Sequence, residues 1–114
     1  MFQELYRYLK SKGFDVYSIG QHEGLCTSPF LVIKEMGTTS TLEKNINKEL
    51  VEIYVYYPKG RYSSVRGYLD EVELAMNELK SIDLAYEAIP ILIDDDKQAY
   101  FTRLSYYKEK KRRF

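Results

Sequence analysis

The chain has 114 residues, 17 basic and 17 acidic, and a formal net charge of zero, so the molecule as a whole has no general attraction for a polyanion. With 45% hydrophobic and 30% charged residues it lies outside the disordered class, and no apolar run approaches the roughly 20 residues that span a bilayer. Cys26 is the only cysteine, which excludes an internal disulfide and any multi-cysteine zinc motif, and the length predicts a single domain over 1–114.

The opening segment MFQELYRYLKSKG interleaves charged and apolar residues and offers no hydrophobic run resembling a secretory signal, so an intracellular, reducing location is expected. Phe2, Leu5, Tyr6 and Leu9 repeat at helical spacing and predict a helix from about 2 to 12, with Gly13 placed for a left-handed C-terminal cap. Residues 14–28 carry Gly20 and Gly24 among mixed polar residues and read as irregular, with a short extended piece around Val16 to Ile19. Cys26 suits a small buried apolar position. PFLVIKE, Pro29 to Glu35, is a β-rich run bounded by Pro29 and Gly37.

The polar stretch GTTSTLEKNINK shows no helical or strand period and predicts the extended tip of a hairpin, because ELVEIYVYY follows it with clear alternation. Val51, Ile53 and Val55 share the face expected to meet the core, and Glu52, Tyr54 and Tyr56 share a wetter one. After the YPKG turn signal, Ser63 or Ser64 is placed to cap a second helix with an apolar stripe of Val65, Tyr68, Leu69, Val72, Met76 and Leu79. Gly67 costs that helix about 1 kcal/mol relative to alanine, and close approach to the sheet is the expected reason for it.

AYEAIPILI and QAYFTRLSYYK read as the last two strands, with Ile89, Ile91 and Ile93 alternating onto one face of the first. Pro90 cannot donate a ladder hydrogen bond, so it marks an edge or bulged strand, and an open edge is where another subunit can add a strand. KEKKRRF, residues 108–114, forms a basic C-terminal tail that reads chiefly as a solvated, frayed terminus. The order α-β-β-α-β-β predicts an α+β fold: a mainly antiparallel four-stranded sheet with two helices packed on one face.

The sequence offers several candidate sites, each with a bland counterpart. Asp94, Asp95 and Asp96 stand between two apolar runs. Consecutive side chains diverge, whereas a catalytic metal needs carboxylates that converge. An EF-hand loop from Asp94 would need glycine at Ala99 and glutamate at Ser105, so these residues and Lys97 read as a solvated hairpin tip. HEGLC, His22 to Cys26, has cysteine where the zinc-protease motif has its second histidine. Gly20 and Gly24 argue against the helix that motif requires.

With His22 the sole histidine, no ordinary Ser-His-Asp or Cys-His arrangement is available, and no phosphate-loop motif is present. Lys59 and Arg61 in PKGRY read as turn charges. Lys108, Lys110, Lys111, Arg112 and Arg113 offer at most weak, nonspecific contact with DNA. No catalytic, cofactor-binding or metal-binding residue is predicted, and no cofactor and no membrane partner is expected. The 12 tyrosines, with no tryptophan, suit half-buried positions and protein interfaces.

The layout resembles that of the small tail-terminator, or tail-completion, proteins of tailed bacteriophages and prophages. The likeness covers nearly the whole chain: the opening helix, PFLVIKE, the long polar hairpin before ELVEIYVYYPKG, the helix SSVRGYLDEVELAMNELK and the closing AIPILIDDD to AYFTRLSYY hairpin. The resemblance implies a structural, non-enzymatic virion-assembly protein that forms a homo-oligomeric ring, often a hexamer. It also implies a place at the head–tail junction, with the tail tube protein and head connector proteins as partners, in the host cytoplasm during assembly and then in the virion tail or neck. On that reading the candidate interface comprises Tyr54 and Tyr56 on the sheet, Thr39, Leu42 and Lys44 in the 37–48 segment, and Pro90 on the edge. The alternatives are a small metal-dependent nuclease using Asp94 to Asp96 and a nucleic-acid-binding module using sheet tyrosines and the basic tail.

Overall fold

The computed structural model describes residues 2–22, 24–40, 46–60, 62–79, 82–86 and 89–111. In chain order the elements are α1 (Phe2–Ser11), β1 (Val16–Ser18), β2 (Phe30–Ser40), β3 (Ile46–Pro58), α2 (Tyr62–Glu78), β4 (Asp83–Tyr86), β5 (Leu92–Asp94) and β6 (Ala99–Lys111). The fold is α+β, with a six-stranded mixed sheet in the order β1-β2-β3-β6-β4 and β5 also paired to β6.

The two expected hairpins, β2-β3 and β5-β6, are antiparallel, and β3 pairs β6 to join them in one sheet. The expected total of four strands is corrected at both edges. On one side β1 adds a parallel strand, Val16 to Ser18 beside Leu31 to Ile33. A parallel neighbour requires the chain to travel back before pairing, and residues 19–29 provide that return. On the other side the single expected strand over AYEAIPILI is broken into β4 and β5. The edge takes eleven steps from Asp83 to Asp94 while β6 takes eight from Tyr107 to Ala99, so three residues are surplus and the register slips.

Pro90 lies in that break and has no N–H to donate. The hydroxyl of Thr102 stitches the gap by donating to the Ile89 carbonyl at 2.6 Å. The expected alternation of Ile89, Ile91 and Ile93 on one face therefore fails. Ile89 and Ile91 are half-buried in and beside the gap, and Ile93 is exposed on β5.

One face of the sheet carries Val16, Leu31, Ile33, Val51, Ile53, Val55, Leu104 and Tyr106, and both helices close over it through Leu5, Leu9, Leu69, Val72, Ala75 and Met76. Leu5, Leu9, Val51, Ile53 and Leu104 are fully buried, and each such aliphatic side chain contributes about 1.5–3 kcal/mol by leaving water. α1 ends as its sequence predicts. Gly13 takes φ 93°, its amide donates to Lys10 and the Phe14 amide donates to Leu9, the paired bonds of a Schellman cap. The helices are tied together by Tyr8 Oη donating to the Ala75 carbonyl and by Lys12 Nζ with Glu78, 3.0 Å.

α2 begins at Tyr62, so Ser63 and Ser64 fall in its first turn and not at its cap. Gly67 also departs from expectation. It is exposed, and a Cβ built there meets no atom within 4 Å, so close approach to the sheet is not its reason. Gly67→Ala is expected to raise unfolding free energy by about 1 kcal/mol, read from the urea midpoint, through helix propensity alone.

The polar 37–48 segment is largely ladder and not loop. β2 runs through Gly37 to Ser40, with Met36 as the bulge residue between Glu35 and Gly37, and β3 starts at Ile46. β6 continues beside them, Lys108 opposite Glu49 and Lys111 opposite Ile46, so the first half of the basic tail is strand. These three strands run on together as an arm, in a molecule that measures 51 × 26 × 25 Å. Among the described residues no helix is long and apolar enough to cross a membrane.

Candidate protein-docking face

Among the described residues, the sheet face opposite the helices has no second layer of regular structure. Alternation sends Phe30, Val32 and Lys34 of β2, Glu52, Tyr54 and Tyr56 of β3, and Phe101, Arg103 and Ser105 of β6 to this side, and the register aligns them in rows. The first row is Phe30, Tyr56 and Phe101. Phe30 and Tyr56 lie 4.7 Å apart at 14°, and Tyr56 and Phe101 5.4 Å apart at 28°. Those separations are close to the spacing between strands, so the rings stand upright and stack on one another with their edges outward.

The return loop extends the row: the His22 ring lies flat on Phe30 at 3.9 Å, and Tyr17 meets Phe30 edge-on. Cys26 and Ala99 complete this smaller core with Phe30 and Val32. Cys26 is buried as expected, and burial pushes its thiol up to about 11. Tyr56, half-buried, has its phenol pushed above the ordinary value, first by burial and then by the carboxylate of Asp94.

The second row is Val32, Tyr54 and Arg103, and the third is Lys34, Glu52 and Ser105. Arg103 Nε donates to Glu52 Oε2 at 2.9 Å, a diagonal pair in which the glutamate is buried and the arginine half-buried. Beside it lies a hollow of about 190 Å³ lined by Met36, Leu50, Glu52, Arg103, Ser105 and Tyr106. Tyr54 stands at the centre of the face, half-buried and tilted against Phe101 at 5.9 Å. The wetter face read from ELVEIYVYY is therefore real for the tyrosines. Glu52 is the exception, since Arg103 folds over it.

The acidic run is a turn, as expected. β5 ends at Asp94, whose Oδ1 accepts the amides of Asp96 at 3.1 Å and Lys97 at 3.3 Å, and Gln98 closes the turn at φ 51°. Lys97 is less solvated than a tip residue should be. Its ammonium lies 5.8 Å from the Phe30 ring centre and 6.0 Å from that of Tyr56. Among the described residues no group of three or more His, Cys, Asp and Glu side chains is placed to hold a metal ion.

Of the interface residues expected from sequence, the structure brings Tyr54 and Tyr56 together on this face and sets Pro90, exposed, on the β4–β5 edge. Thr39 sits in the arm opposite Lys48. Leu42 and Lys44 lie outside the described residues, as do Arg61, Arg112 and Arg113. Sequence reading missed Phe30, Phe101, His22 and Lys97 as parts of one row. Alternation within each strand was legible, but the row exists only once three strands and two loops are in register. Comparison with protein-family models and with curated proteins finds no match to this chain.

Proposed function

We propose that this chain is a ring-forming structural assembly protein of a phage or prophage tail, a tail terminator or completion protein at the head–tail junction. The observation that carries the docking part of this reading is the uncovered sheet face: a half-buried centre of Tyr54, Tyr56 and Phe101, continuous with a three-stranded arm. Aromatic side chains half-withdrawn from water beside an Arg–Glu pair are the composition of a protein interface core with its polar rim. The terminator assignment itself rests on the resemblance in layout.

A closed ring needs two different patches, one meeting the other on the next copy. The sheet face is the first, offering Lys34 beside its tyrosines, with Arg103 held by Glu52. The outer side of α2 suits the second, with Leu74 62% exposed among Asp70, Glu71 and Glu78. Lys12 neutralises Glu78, which leaves Asp70 and Glu71 as the carboxylates to face Lys34. A nucleic-acid reading is disfavoured by the same geometry. Bases stack on open ring faces, and here the faces of Phe30, Tyr56 and Phe101 are turned to one another.

The test is polymerisation of the tail-tube protein from the same genome with and without this chain, imaged by negative stain. Tubes should shorten and carry the chain at one end only. Tubes of unchanged length with bare ends would refute the assignment.

A further inference from the structure

The return loop and the β5–β6 turn meet at His22 and Lys97. Lys97 Nζ donates to His22 Nδ1 at 3.1 Å and to the Gly24 carbonyl at 3.4 Å, and the Cys26 amide donates to the Lys97 carbonyl at 2.8 Å. An ammonium has donors and no acceptor, so the first contact requires a bare Nδ1, which is a neutral imidazole with its proton on Nε2. A proton on Nδ1 would remove the acceptor and leave two cations facing each other at that distance. We propose that His22 and Lys97 form an acid-released clamp: neutral His22 holds the return loop down across the aromatic row, and protonation of His22 lifts the loop and uncovers Phe30 and Cys26.

The groups around His22 decide the direction. From the turn comes the Lys97 cation. From β2 comes Phe30, neutral and stacked on the ring, and from β1 comes Tyr17, edge-on at 5.0 Å, whose hydroxyl donates to Asp15 Oδ2. The loop adds the Cys26 thiol, which burial keeps protonated; Glu23 lies outside the described residues. Burial first and Lys97 second push His22 below its ordinary 6.5, against a weaker opposite pull from the Asp15 carboxylate. For a base held neutral in this way, clamping is complete above the ordinary histidine value. It is lost as pH falls from there through the lowered one.

His22 and Cys26 are the sole histidine and cysteine, so each reports without ambiguity. In the full chain, the His22 ring is titrated by NMR between about pH 5 and about pH 8. The rate at which Cys26 reacts with a pyridyl disulfide is followed across the same range, divided by the rate of free cysteine at each pH. His22 should titrate below its ordinary value, and the normalised Cys26 rate should rise severalfold at the acid end. Lys97→Met should move the His22 titration upward and shrink the step, and His22→Gln should abolish the step while circular dichroism stays native. His22 titrating at or above the ordinary value in the unaltered chain, a Cys26 rate indifferent to pH, or a step that survives His22→Gln would each overturn the clamp.

Discussion

Phe30→Ala is expected to lower unfolding free energy by about 3–5 kcal/mol, read from urea denaturation. Phe30 is 1% exposed and lies between His22 and Tyr56, with Tyr17 on its edge and the Lys97 ammonium above it. Its removal takes away a large buried ring and three aromatic pairs, each of which adds about 0.5–1.5 kcal/mol beyond area alone. The helix-covered core is a separate cluster and cannot close the void. The loss should therefore be accompanied by loosening of residues 19–29, seen as faster amide exchange at Cys26, while Ile53 keeps its protection. A loss near 1 kcal/mol with unchanged exchange would mean that the return loop is not anchored by this ring.

Tyr54→Glu is expected to abolish self-association while altering stability by about 1 kcal/mol or less. Tyr54 stands directly opposite Arg103 on β6, so a glutamate there gains a cross-strand cation, and such pairs are worth about 0.2–1 kcal/mol in a sheet. That gain offsets much of the lost packing against Phe101. At the centre of an interface the same carboxylate would have to leave water while sharing the Arg103 cation with Glu52, a cost of several kcal/mol. The fold is thus expected to survive a substitution that the interface does not. Native circular dichroism with a shift to monomer is the predicted outcome, and an unchanged oligomer would remove Tyr54 from the interface.

What the sequence made legible and what it concealed divide along physical lines. The stripes of α1 and α2, the Gly13 cap, the core alternation of Val51, Ile53 and Val55, and the Asp94 turn all depend on neighbours within a few residues. They stand where expected. β1 was legible only as a short extended piece, because three residues show no pattern of their own and their pairing depends on a return through 19–29. The arm was misjudged as a tip because its residues are polar, and strand there is sustained by pairing with β6. The same pairing drew Lys108 to Lys111 out of the tail and set Lys108 against Glu4 at 3.1 Å. Pro90 announced an edge correctly, while the three surplus residues beside it, which spoil the isoleucine alternation, become visible only against β6.

Candidate-site residues follow the same division. Tyr54 and Tyr56 were found by alternation alone. His22 and Lys97, 75 positions apart in sequence, carried no local signal beyond being an isolated histidine and a lysine after three aspartates.

A closed ring requires that copies of this chain recognise one another. Size-exclusion chromatography with light scattering, run over a wide range of protein concentration, measures this without a partner. A single closed species of fixed stoichiometry, converted to monomer by Tyr54→Glu, is the predicted result. A particle of monomer mass at every concentration would contradict self-recognition through the exposed sheet face.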